Sequence, residues 1–169
     1  ANINTNLQVI KYCFEFGCDY TNLNNDKENL FHLSAQNENP EVIKYLFENM
    51  DFDKYNNFDN DYLSPLGKAV LAGKNVEIIK LFHEKGINFS ELDKNHANLL
   101  QISLKNSNIN IFKYLLSLNI FDINYEDING NTIVHYAAEH NTNNEIIIEL
   151  RKIKCDFLKR NLKGLSALH

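Results

Sequence analysis

The chain has 169 residues, 44% of them apolar and 23% charged, with a net charge of −5, enough for one folded domain or a short repeat array. The acidic balance argues against nucleic acid, whose backbone is met by clustered Lys and Arg, and no apolar run approaches the ~18–20 residues of a membrane helix. Three cysteines, Cys13, Cys18 and Cys155, form no even disulfide framework, which points to a reducing interior such as the cytoplasm.

The first predicted element is a helix over about 7–16, where "VIKYC" (9–13) sets apolar residues on one wide stripe and Gly17 permits a left-handed end. Tyr20 follows as an apolar residue before a polar turn. Next, "ENLFH" (28–32) opens a short helix capped by Asn29, and Pro40 after Asn39 starts a longer one carrying "VIKYL" (42–46). The loop "MDFDKYNNFD" (50–59) holds an extra residue, so Phe52, Tyr55 and Phe58 take no face from the pattern. Ser64-Pro65 then opens a short helix in "LSPLG" (63–67), followed by "IIKLF" (78–82) and Gly86. The same alternation continues through "ANLLQ" (97–101), "IFKYL" (111–115) and Asn119. It ends with "NTIVH" (131–135), "IIIEL" (146–150) and "LSALH" (165–169).

These stretches are copies. Phe31, Leu66, Leu100, Val134 and Leu168 occupy one column, spaced by 35, 34, 34 and 34 residues. Three residues before the next column stand Asn29, Ser64, Asn98, Thr132 and Ser166, all good N-caps worth ~1 kcal/mol each. Two residues after it stand Ser34, Ala69, Ser103 and Ala137, small enough to let helices approach. Each unit reads as turn, short helix, tight loop, longer helix and extended hairpin; one such pair cannot bury its apolar face alone, and stacked copies can.

The pattern resembles the ankyrin repeat over the whole chain, most closely in "DINGNTIVHYAA" (127–138), "LKGLSALH" (162–169), "EIIKLFHEKGINF" (77–89) and "VIKYCFEFGCDY" (9–20). The resemblance implies an all-α solenoid of helix-turn-helix units with β-hairpin connections. As one domain over 1–169, it would hold a partial repeat 1–24, repeats at about 25–58, 59–92, 93–126 and 127–160, and a partial repeat 161–169. Gly67 and Gln101 depart from the family's His, and Lys154 stands where Gly is usual. Glu149 and Arg151 interrupt the apolar stripe of "IIIEL", which predicts a looser or rotated helix there. The chain opens inside one repeat and closes inside another, which predicts a monomeric fragment of a longer array.

His135 shares its column with His32 and His169, a column that the resemblance makes structural, bonding loop backbone within the stack. His140 lies roughly 140° around the helix from His135 and shares no face with it, so no zinc site follows. Asp59, Asp93 and Asp127 recur at turns, where Asx hydrogen bonds explain them better than catalysis does. Cys18 and Cys155 fill a column where the family has Ala. No phosphate-binding Gly loop and no G-x-S-x-G motif occurs. The reading is therefore no enzyme, no cofactor and no metal.

The resemblance implies protein binding on a concave face of hairpin tips and short helices, as a scaffold or adaptor. The alternative is a regulatory or targeting segment of a larger enzyme or channel, docking intramolecularly. The column before each turn reads Leu23, Phe58, Leu92, Glu126 and Arg160. Leu23, Phe58, Leu92 and Glu126, with neighbouring positions Asp61, Leu63, Leu71, Asn95, Lys105, Asn129, Glu139 and His140, are the candidate contacts for another protein or peptide. An apolar partner segment is expected along the first three tips, with Phe58 and Leu92 as anchors. Residues 145–163 hold six basic side chains against three acidic ones, which reads as a solvated helix face.

Overall fold

The computed structural model describes residues 7–19, 21–140 and 144–169; Tyr20, read above as a recurring apolar position, lies outside them. The chain divides into two compact units, one ending at Phe89 and one beginning at Ser90. Each is described by itself.

The first unit contains α1 (Leu7–Glu15), α2 (Leu30–Ala35), α3 (Pro40–Asn49), α4 (Phe52–Tyr55), α5 (Pro65–Ala72) and α6 (Val76–Glu84). The second contains α7 (Leu99–Ile102), continued by a tighter turn over Ser103–Lys105, then α8 (Ile109–Ser117), α9 (Ile133–His140) and α10 (Asn144–Lys152). Among the described residues, no helix is long and apolar enough to cross a membrane.

Asparagine, frequent in this chain, caps five of these helices. The side-chain oxygens of Asn29, Asn39, Asn75, Asn98 and Asn108 accept backbone N–H groups of the first helical turn, and Ser64 does the same for α5. Such caps satisfy donors that a helix leaves unpaired. Pro40 and Pro65 occupy the first helical positions, where no N–H is needed.

The long helices end as Gly17 and Gly86 suggest, in left-handed residues at φ 65° and 72°. Asn119 and Lys154 adopt the same conformation at 53° and 59°. The bonding that closes this end is conserved in form: Cys18, Ile87 and Cys155 donate to the carbonyls of Cys13, Phe82 and Leu150 at 2.9, 3.1 and 3.1 Å, the Schellman arrangement. Lys154 therefore keeps the geometry of glycine without its freedom. α10 continues through Glu149 and Arg151. It runs nine residues, as α6 and α8 do, with Ile146 and Leu150 buried and Glu149 paired to Lys152 at 2.8 Å.

Stacking fills the core of each unit. In the first, α2 packs on α5 and α3, and α3 and α5 both pack on α6. Phe31, Leu46, Leu66, Ile78 and Phe82 have no exposed surface. The extra residue of the 50–59 loop is absorbed by α4, which turns Phe52 inward. Its ring meets Phe31 edge-on at 5.0 Å, Phe47 at 5.2 Å and Phe82 at 5.7 Å. In the second unit α7 packs on α8 and α9, and α9 on α10, around Leu99, Phe112, Leu115, Ala137 and Leu150. The small column Ser34, Ala69, Ser103 and Ala137 is buried throughout.

The hairpin connections differ from the expectation. Among the described residues they form tight turns without strands, and their one ladder contact is an isolated antiparallel bridge between Leu92 and Asn98. The reason is local. The turn closes at Leu63, Ala97 or Asn131, and the next residue, Ser64, Asn98 or Thr132, directly precedes a helix, leaving no arm to extend a ladder.

Candidate binding surface

Five turns share one construction. Asn24, Asp59, Asp93, Asp127 and Asn161 each donate their backbone N–H to the carbonyl of the residue four positions on, at 2.8–3.0 Å. The side-chain oxygen of each accepts two N–H groups, two and four residues later, all within 3.0 Å. These are Asx turns, and they engage the carboxylates of Asp59, Asp93 and Asp127 with backbone N–H groups. The fourth position of every turn is left-handed: Lys27, Tyr62, His96, Gly130 and Gly164. Successive turns are also tied together. Asn60 N–H donates to Asp26 at 2.9 Å in the first unit; in the second, Ile128 donates to Asn95 at 3.0 Å and Leu162 to Asn129 at 2.9 Å.

The histidine column clamps one turn to the next. His32 accepts the Asn29 N–H at Nδ1 (3.3 Å), and its Nε2–H donates to the Leu63 carbonyl at 3.1 Å. His135 accepts the Thr132 N–H at 3.1 Å and donates to Leu165 at 3.0 Å. A carbonyl can only accept, so both rings carry a proton on Nε2. Both nitrogens of each ring are occupied, leaving none for a metal. Gln101 reproduces the clamp: its Oε1 accepts the Asn98 N–H at 3.0 Å while its Nε2–H donates to Tyr125 at 3.1 Å and Asn131 at 3.0 Å. Burial holds the His32 pKa below the usual imidazole range, partly opposed by its bond to Leu63.

Beneath the turns of the first unit lies a buried ion cluster. Lys68 Nζ reaches both Glu28 and Asp59 at 2.8 Å. Burial by itself would raise both acids. Hydrogen bonds from Lys68, from Asn24 to Glu28 and from backbone N–H groups to Asp59, more than offset it and hold both carboxyls below their ordinary values. In the second unit the matching position is Tyr136, whose hydroxyl donates to Asp127 at 2.8 Å. Burial, then that bond and the charge of Asp127, push the phenol far above its ordinary value.

The candidate contacts fall into two groups. In the first unit Leu23 and Phe58 are each 51% exposed, and Asp61 and Leu71 are half-buried. Leu63 is not a surface residue, contrary to expectation: it is 2% exposed. Its N–H is held by Asp59 at 3.0 Å and its carbonyl by His32, which fixes the turn's last residue over the core. In the second unit Leu92 is 38% exposed, and exposed Glu126 pairs with Lys159 at 2.9 Å. Asn95, Lys105, Asn129, Glu139 and His140 come together around one cleft of about 560 Å³, joined by Tyr136, Lys163 and Leu165. Lys105 sits 5.3 Å above the Tyr136 ring and 3.4 Å from Asp93. The sequence columns missed Tyr136, and also Ile128 and Leu162, exposed tips one position after the turn's Asx rather than one before it.

Of the cysteines, Cys18 lies in the first unit and Cys155 in the second. Cys13 is the neighbour of Cys18; the hydrogen bond between them, then burial, raises the Cys13 pKa, and burial raises that of Cys155.

Comparison with known proteins agrees with the geometry. The sequence pattern of the ankyrin repeats family (three copies) matches residues 1–91 and 66–161. An ankyrin repeat protein of Rickettsia felis is 27% identical over 139 residues, which are 70% of this chain and 32% of that protein; the chain thus spans about a third of that relative's length. A chain from the structure of a predatory endopeptidase of Bdellovibrio bacteriovorus in complex with an immunity protein superposes with a TM-score of 0.71 at 20% identity, covering 95% of this chain and 82% of that one. The likeness extends to the fold alone. Periodic helix pairs, Asx turns and the clamp column, together with a family pattern that covers most of the sequence, lead to one assignment: the chain belongs to the ankyrin repeat family.

Proposed function

We propose that the chain is a protein–protein interaction module, a scaffold or adaptor without catalytic activity of its own, that receives its partner on the turn tips and short helices. The observation that carries this reading is the presentation of large apolar side chains on rigid turns. Leu23 and Phe58 stand half-exposed beside Asx turns, and Leu92 does so in the second unit. A partner that buries such a side chain gains roughly 1.5–3 kcal/mol from each, and binding energy concentrates in a few anchors of this kind. The free cysteines support a reducing, cytoplasmic setting.

Phe58→Asp and Leu92→Asp test the reading. Both positions are exposed, so the variants should keep the parent melting temperature while partner capture in a pull-down falls to background. Capture undiminished in both variants would refute the anchor role. A second reading is a regulatory or targeting segment that docks within a larger protein; it is favoured by the Rickettsia relative, most of whose length lies outside the matched region.

A further inference from the structure

We infer that the turn tips of the second unit bind an extended, acidic segment of a partner protein. This rests on the interaction-module reading and gives that partner a chemistry. Asn95, Asn129 and Lys163 hold the same place in three successive turns, two residues after Asp93, Asp127 and Asn161. Their turns are joined by the Ile128-to-Asn95 and Leu162-to-Asn129 backbone bonds, so the three side chains form a continuous row along the cleft. Both amides and the Lys163 ammonium are without a partner among the described residues, although all three groups border the same 560 Å³ opening.

The acids nearby are already committed. Asp127 accepts from two backbone N–H groups, from Asn131 and from the Tyr136 hydroxyl. Asp93 accepts from two N–H groups and faces Lys105. Glu139 faces His140 at 3.6 Å. What remains to be satisfied is one cation and two amides. A carboxylate answers the first; the backbone of an extended chain, offering N–H and C=O alternately, answers the others.

The apolar side chains fix the pattern further. Ile128 and Leu162, at 56% and 78% exposure, immediately precede Asn129 and Lys163. Two of the three turns therefore set an exposed apolar side chain next to the polar one. An extended segment alternates its side chains between two faces, so a sequence alternating acidic with apolar residues matches it. The first unit supplies a built-in contrast. Its equivalent pairs are Asn25–Asp26 and Asn60–Asp61, which carry no cation and repel an acidic chain.

The test is a nitrogen-edited NMR titration of the whole chain with a synthetic peptide alternating glutamate and leucine, with lysine–leucine and glutamine–leucine peptides as controls. Side-chain amide signals of Asn95 and Asn129 and backbone signals of Ile128 and Leu162 should move with the acidic peptide, and those of Asn25 and Asn60 should not. Lys163→Glu, an exposed change that leaves folding intact, should weaken the acidic peptide by roughly tenfold. Absence of those shifts, equal binding of the lysine–leucine peptide, or an unaltered affinity in Lys163→Glu overturns the inference. If the peptide fails while partner capture still depends on Phe58 and Leu92, the acidic chemistry is wrong and the interaction module stands. If capture is indifferent to Phe58 and Leu92 while the peptide binds as described, the anchors are wrong and this surface stands.

Discussion

At the residue scale the molecule repeats a conformation without always repeating the residue that suits it. The fourth turn position is left-handed five times, yet only Gly130 and Gly164 are glycine; Lys27, Tyr62 and His96 hold φ near 60°. A side chain there costs ~1 kcal/mol or more. Lys27→Gly, Tyr62→Gly and His96→Gly should therefore each stabilise the fold by about 1 kcal/mol in chemical denaturation. Gly130→Ala should destabilise it by more, because the added carbon would also lie 3.0 Å from the Leu162 nitrogen. The clamp residue His32 makes a pH prediction. Its folded pKa is depressed, so below the unfolded value of ~6.5 the unfolded chain takes up the proton more readily and stability falls as pH drops. His32→Gln, the residue that does this work at position 101, should remove that part of the decline between about pH 6.5 and 5 in melting curves. If the parent and the variant fall in parallel through that range, the neutral clamp is refuted.

At the element scale, the period and the caps made helices legible: Asn29, Ser64 and Asn98 cap α2, α5 and α7 as their column requires. The Asx turns and the left-handed helix ends were legible for the same reason, since each follows from a single residue type at a fixed place. Three features were not. The inward turn of Leu63 belongs to a column that reads Glu28, Leu63, Ala97, Asn131 and Leu165, too mixed to mark a face. The α4 helix forms where the period slips by one residue, and only the surrounding Phe31, Phe47 and Phe82 rings give Phe52 its place. The ion cluster joins residues 28, 59 and 68 across two turns and a helix, a relation no column contains. Lys68→Met leaves Glu28 and Asp59 buried without their cation, and should cost about 3 kcal/mol in denaturant unfolding. Both acids are held below their ordinary values. Their contribution is therefore present above ~pH 4 and lost as pH falls through their folded values, and the Lys68→Met variant should lack that acid-side loss.

At the scale of the whole molecule, the exposure of part of the proposed contact surface was legible in the repeat. Leu23, Phe58 and Leu92 are exposed as their column implied, and Asn95, Lys105, Asn129, Glu139 and His140 converge because each occupies the tip or the short helix of a neighbouring repeat. Tyr136 was hidden because its column also holds Lys68 and Ile102, residues with no shared chemistry. Those positions share a place and not a side chain, which is how one scaffold carries an ion cluster in its first unit and a polar cleft in its second.

Within each unit consecutive turns are bonded to one another, so that equivalent residues carry equivalent mechanical load. Amide hydrogen exchange at Asn60, Ile128 and Leu162 tests this most directly, because each of these exposed tips donates to the turn before it. All three should exchange orders of magnitude more slowly than Asn25, the same tip position without such a bond among the described residues. Exchange of the three at the rate of Asn25 would contradict the stacked-turn architecture and, with it, the surface proposed for partner binding.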